Sequence, residues 1–406
     1  MRRSALVRVA VDGSIRWQTP VPLGPDEQGS EVVVGRGRVF LGQDGALRSF
    51  DPASGAAGWV RALGGSAGQL LTADGLVLLV VLQGPGGGPA RVEAYDQVSG
   101  ARRWTHPGGD AVTLYRVRPG LVVAQQRFAT IGLDTATGRV RWTAPVPGHD
   151  DGGAAFSQLA TSAPVIVQGG VTTTAALDAL TGRRLWARAL PQGPVYPLLT
   201  GTVAVLAPTE SVGSAPGGVV AVDAATGAHR WTLPAPDQSG AVAVAGYGVV
   251  LAVTGGTVQG GRTTAVAAET GRVLWSAPTP AAGPDSPAAI TAHSVAYVED
   301  RWHDAARGPA HRTIALVNRR LRDGRVLYRR PIAQPLPVGP AQRSRYLPLV
   351  LTPGGTGPVS LRLFDLATHQ VRYTTRVPHW PARTPLALPD GSVLTLTADL
   401  ITAVGA

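Results

Sequence analysis

The chain of 406 residues contains no cysteine, no lysine and a single asparagine, Asn318. Without cysteine, disulfides, thiolate metal centres, cysteine nucleophiles and a lipid-modified N-terminal Cys are excluded together, while the compartment stays open. Long apolar runs are missing too: the longest candidate, Leu76 to Leu82, is strand-length against the roughly 18 residues that a spanning helix needs. No transmembrane segment is therefore expected. All 37 basic residues are arginine, and they set a net charge of +11, which on its own would point to an anionic partner. The missing lysine and scarce asparagine read instead as the coding bias of a GC-rich genome. Pairs such as Arg102-Arg103, Arg183-Arg184, Arg319-Arg320 and Arg329-Arg330 fall in different parts of the chain. The charge thus reads as scattered, and nucleic acid is not the expected partner.

What is present is turn chemistry and short apolar segments: 52 Gly and 34 Pro beside 44% hydrophobic residues, a composition for many short strands. One pattern recurs, an apolar residue and Asp, a turn ending in Thr-Gly or Ser-Gly, then Trp four residues after the Gly. Its clear copies are SFDPASGAAGW, AYDQVSGARRW, GLDTATGRVRW, ALDALTGRRLW and AVDAATGAHRW, ending at Trp59, Trp104, Trp142, Trp186 and Trp231. Spacings of 45, 38, 44 and 45 residues match one four-stranded propeller blade. Degenerate copies end at Trp17, Trp275, Tyr328 and Tyr373, with Ala267 in place of the Asp and His369 in place of the Gly.

Each element of the pattern has a physical role. The Asp accepts hydrogen bonds from the turn amides, the Gly supplies positive φ, and the Trp buries its ring between neighbouring blades with its N–H on a carbonyl. The expected fold is all-β, a single β-propeller of four-stranded blades over 1–406. Eight blades is the leading count and nine stays open. RTPLALP, GSVLTLT and LITAVGA read as strands A, B and C of a last blade whose strand D is the N-terminal segment around Trp17. The start, with Arg2-Arg3, lacks an apolar region of signal-peptide length, so export without a visible signal, a cytoplasmic location and an upstream start all remain open.

This motif resembles the tryptophan-docking repeat of the PQQ-like propeller family, which includes quinoprotein alcohol dehydrogenases and BamB-type outer-membrane assembly propellers. The resemblance covers essentially the whole chain and implies the fold, with an extracytoplasmic location slightly favoured. The dehydrogenase branch implies an adjacent-cysteine disulfide, acidic and amide Ca²⁺ ligands and a catalytic Asp. This chain has no Cys, one Asn and no compact acidic cluster in sequence, so no cofactor, no metal and no catalytic residue is expected.

In such a propeller the longer connections, 83–89, 147–156, 209–218, 254–262, 299–312 and 331–345, gather on one face, where ligand contact is expected. The most chemically loaded is 299–312, with Arg301, Trp302, His303, Asp304, Arg307 and His311. Trp302 there reads either as a recognition aromatic or as a cover for a blade edge. His149, Asp150 and Asp151 lack a third convergent ligand and read as a solvated loop. His106, His229, His369 and His379 follow no metal-ligand spacing, and no nucleophile elbow or phosphate loop is present. The resulting expectation is a monomeric, non-catalytic protein-binding or assembly scaffold. The alternatives are a quinone- or metal-dependent oxidoreductase-like enzyme and a binder of acidic polymers.

Overall fold

In a computed structural model the described residues are 4–398 except 23–30, 44, 84–87, 110–111, 147–157, 163, 171–172, 190–194, 209–217, 235–241, 255–260, 280–287, 304–310, 332–344, 352–358, 378–379, 382–385, 389 and 391. Among them every regular element is a β-strand. The strands form nine antiparallel sheets, so nine is the observed count of the two that the repeat left open. In chain order blades I to VIII span 31–62, 66–107, 113–145, 158–189, 195–234, 242–279, 288–331 and 346–377. Blade IX joins residues 4–21 to 380–398. The chain divides into two compact units, Met1–Thr143 with Pro348–Leu363 and Val371–Ala406, and Ala144–Leu347 with Phe364–Gln370. Blades I, II and IX lie within the first, and IV to VII within the second.

Blade I shows the pattern. Its strands Glu31–Gly35, Arg38–Gln43, Ala46–Phe50 and Ala57–Ala62 follow one another across the sheet, so strand D carrying Trp59 is outermost. Strand B is buried on both faces and is correspondingly apolar, as in Leu121–Gln125 and Val165–Gly169. Strand D alternates exposed and buried positions, because only its inner face meets a neighbour.

Blade IX differs from the strand allocation read in the sequence. The N-terminal segment supplies two strands, Ser4–Val9 and Ile15–Val21, and Ser4–Val9 pairs with Val393–Ala398 from Ser4↔Ala398 to Val9↔Val393. The reason lies in ALVRVAVDGSIRW, which is a whole strand C, turn and strand D, with Ala10 at the Asp position. Of the expected C-terminal strands, LITAVGA lies outside the described residues. Arg8 ties the two ends together, bonding Asp390 at 2.9 Å and Ser392 at 3.3 Å.

The core sits between consecutive blades. Phe40 and Leu47 of blade I pack with Val77, Leu79 and Tyr95 of blade II, and Val205 and Val219 of blade V pack with Val250 and Val266 of blade VI. Clusters of the same kind join blades II and III, IV and V, VI and VII, and IX and I.

Candidate binding surface

The joints between blades place the side chains. The turn Asp accepts as expected: Asp51 Oδ1 takes N–H bonds from Ala53 at 2.9 Å and Ser54 at 2.8 Å. Asp96, Asp134, Asp178, Asp223 and Asp365 do the same. The carbonyl one residue after the Asp position then receives the indole N–H of the preceding blade. Trp104 donates to Thr135 at 2.8 Å, Trp186 to Ala224 at 2.9 Å, Trp231 to Ala268 at 2.7 Å and Trp275 to Leu321 at 2.8 Å. Trp17 and Trp59 reach Pro52 and Gln97 in the same way.

The turn glycine has a second reason to be glycine. A Cβ at Gly271, where φ is +68°, would fall 2.5 Å from Cγ of Trp231. The same overlap recurs between Gly138 and Trp104 and between Gly227 and Trp186. In four blades the strand C residue paired with the Trp is also small, Ala94, Ala176, Ala221 and Ala265, whereas Arg8 stands opposite Trp17. At Trp104, Trp186, Trp231 and Trp275 the docking motif is therefore a three-part fit of ring, turn glycine and small strand C partner.

One joint replaces all three parts. Tyr328 stands for the Trp, Asn318 for the small partner opposite it and His369, at φ +61°, for the glycine. Tyr328 packs on Phe364 with ring centroids 4.6 Å apart. The fully buried Asn318 turns its amide nitrogen to His369 Nδ1 at 3.0 Å and faces the docking carbonyl of Leu366 at 3.5 Å. Because that carbonyl can only accept, the amide nitrogen is the atom facing both, and His369 Nδ1 must accept. A tyrosine alone does not free the glycine, since the other one, Tyr373, still lies over Gly13, 2.7 Å from its would-be Cβ. The sequence shows His369 as a bare departure from the motif; the signal for Asn318 is its place two residues before the Asp position.

Two buried carboxylates are tied up by side chains of their own blades. Glu93, 1% exposed, accepts from Tyr95 at 2.5 Å and pairs with Arg91 at 2.8 Å. Glu299, also 1% exposed, pairs with Arg329 at 2.7 Å and Arg319 at 3.7 Å, while Arg319 donates to Tyr297 at 2.8 Å. Burial first and then Glu93 raise the Tyr95 hydroxyl pKa, and burial raises that of Tyr297. Both acids serve as charge-assisted anchors. Among the described residues no three or more His, Asp or Glu side chains gather as metal ligands. His106 is pushed below the usual histidine range by burial, and His229 reaches Thr232 at 2.9 Å within its own blade.

The segment 299–312, read as a loop, is strand at both ends. Arg301 pairs with Thr313, Trp302 with Arg312 and His303 with His311, so four of the six candidate residues lie on a hairpin that lengthens strands B and C of blade VII. Asp304 and Arg307 lie outside the described residues, as do His149, Asp150, Asp151 and His379. The loops at 83–89 and 254–262 are also shorter than read, because strands resume at Gly88 and Gly261. On a B-to-C turn of blade III, Phe128 is 48% exposed with the Arg127 guanidinium 5.1 Å from its ring centroid. Sequence reasoning missed this tip because QRFA carries no Gly or Pro.

A blade repeat closed by tryptophan over glycine defines the β-propeller class. The family model described as outer membrane protein assembly factor BamB matches residues 2–175 and 170–337, and the chain belongs to that PQQ-like, BamB-like propeller family. Among solved structures it is similar to BamB from Moraxella catarrhalis, at 14% identity over 90% of this chain and 96% of that one, TM-score 0.46. It is similar also to a quinohemoprotein alcohol dehydrogenase from Comamonas testosteroni, at 11% identity over 81% of this chain and 74% of that one, TM-score 0.51. A europium-containing methanol dehydrogenase matches at 12% identity over 89% and 81%, TM-score 0.46. Comparison with curated proteins gives no match. At 11% identity the likeness to the quinohemoprotein alcohol dehydrogenase extends to the fold alone.

Proposed function

We propose that this chain is a non-catalytic scaffold that binds another protein, working as a monomer through the B-to-C face of its blades. The observation that carries the reading is the family match to an assembly factor across residues 2–337. In support, Glu93 and Glu299 are buried and held by arginines of their own blades, whereas a general acid or base would need a carboxylate open to substrate. The residues assigned to partner contact are Arg301, Trp302, His303, Asp304, Arg307 and His311, an aromatic flanked by guanidiniums, the composition of an interface anchor.

The test is an affinity pull-down from native extract with wild-type chain and with Trp302→Ala/Arg301→Ala as baits. A partner recovered by the first and lost by the second supports the assignment. Identical partner sets with both baits would sink the site, and no partner with either would sink the scaffold reading.

A further inference from the structure

The net charge is not scattered. Residues 294–377 hold 14 of the 37 arginines and five of the 26 acids, which places nine of the eleven net charges in two consecutive blades. The pairs of arginines along the chain hide this, although Arg102 and Arg103 are offset by Glu93 and Asp96. In blades II, III and V the strand D arginine before the Trp pairs with the turn Asp, Arg103 with Asp96, Arg141 with Asp134 and Arg230 with Asp223. Blade VII inverts that arrangement. Its Asp position is Arg320, and the residue before Tyr328 is Leu327.

The described acids of this stretch are also occupied. Glu299 is buried under Arg319 and Arg329, Asp365 is fully buried and held by Arg345 at 2.9 and 2.8 Å, and Asp323 binds Arg320 at 3.0 Å and the Arg325 amide at 3.1 Å. What remains on the surface is positive. The Arg322 side chain is 76% exposed with Asp323 3.7 Å away, and Arg325 and Arg330 are exposed with no carboxylate against them among the described residues. These last two lie on or beside Val326–Pro331, the outermost strand of its sheet, whose Val326 is 41% exposed.

We infer that this edge is a docking strip for an acidic, extended segment of a partner protein, which pairs with the strand backbone while its carboxylates meet Arg322, Arg325 and Arg330. The inference rests on the protein-binding reading but uses a different surface. An acidic polypeptide suits the strip better than a nucleic acid, because the strand's aromatic, Tyr328, is packed on Phe364 and offers no face for base stacking.

The test is fluorescence anisotropy of the full chain with a labelled Asp/Glu-rich peptide and, separately, a single-stranded oligonucleotide of equal charge. The peptide should bind in a salt-sensitive way, and Arg325→Glu/Arg330→Glu should weaken it at least about tenfold with unchanged circular dichroism, while Arg127→Glu leaves it unchanged. Equal binding to the double variant, tighter binding of the oligonucleotide, or no peptide binding would each overturn the inference. The last result would leave the arginines as a guard against edge-to-edge pairing. None of these results depends on the pull-down, so the strip and the scaffold reading fail separately.

Discussion

Two glycines of blade VI separate what the docking motif asks of the backbone from what it asks of space. Gly248 and Gly271 have nearly the same φ, +73° and +68°, so alanine at either suffers the same left-handed backbone, about 1–2 kcal/mol. Only their surroundings differ. Nothing lies within 4 Å of a Cβ at Gly248, whereas at Gly271 it meets Cγ, Cβ and Cδ2 of Trp231 at 2.5, 2.6 and 2.9 Å. Two of these atoms sit at the root of the buried ring, which cannot swing away without breaking the 2.7 Å bond to Ala268. Overpacking of this kind costs about 1–3 kcal/mol more. Gly271→Ala should therefore lose about 2–5 kcal/mol and Gly248→Ala about 1–2 kcal/mol, read from urea unfolding followed by circular dichroism. Equal shifts of the two midpoints would refute the claim that the ring dictates the glycine.

Other consequences follow from the same geometry. Tyr328→Trp alone should destabilise by about 1–3 kcal/mol, since Asn318 fills the space that alanine leaves elsewhere. Adding Asn318→Ala and His369→Gly should recover most of that loss, and a triple variant no better than the single one would show that the three exchanges are independent. Glu93→Ala leaves Arg91, 18% exposed, without its buried partner and should cost about 3–5 kcal/mol in the same assay. At Asp223 the Arg230 guanidinium beside it holds the carboxyl down from 3.8 to about 2. Its folded-state pKa lies below the unfolded value, so its stabilisation is full above pH 3.8 and is lost as pH falls toward about 2. The stability margin of wild type over Asp223→Asn should then be constant at neutral pH and shrink through that window, and a margin independent of pH would exclude the ion pair as its source.

The repeat was legible because its signal is local. Asp, Gly and Trp sit within nine residues of one another, and each acts on the turn or on the ring directly above it, so the docking chemistry can be read without knowing the sheet. Strand allocation in blade IX was less legible, because ALVRVAVDGSIRW has Ala10 at the Asp position and only its strand D half, around Trp17, reads as belonging to the last blade. Surface features were the least legible. Whether Arg301 to His303 form loop or strand depends on their pairing with His311 to Thr313, a contact across a stretch of chain that no local pattern encodes. The Phe128 tip was hidden for the opposite reason, since a tight turn without Gly or Pro resembles uninterrupted strand.

The joint where the docking motif is most altered and the edge where charge accumulates belong to the same blade, and one cause can account for both. A standard blade ties its Asp to the turn and often to a strand D arginine, which fixes the sign of that rim as neutral. Once Arg320 takes the Asp position, the turn is held by Asp323 instead, and of the strand D arginines Arg329 pairs with Glu299 while Arg330 has no carboxylate against it among the described residues. Burial within the joint is secured by Tyr328, Asn318 and His369, so the outer strand keeps its place without the neutralising pair. Blade VII thereby keeps its packing while its rim is released from the sequence constraint that governs blades II, III and V. A rim so released is free to carry charge, and the proposed docking strip accordingly falls on the degenerate repeat and not on the regular ones.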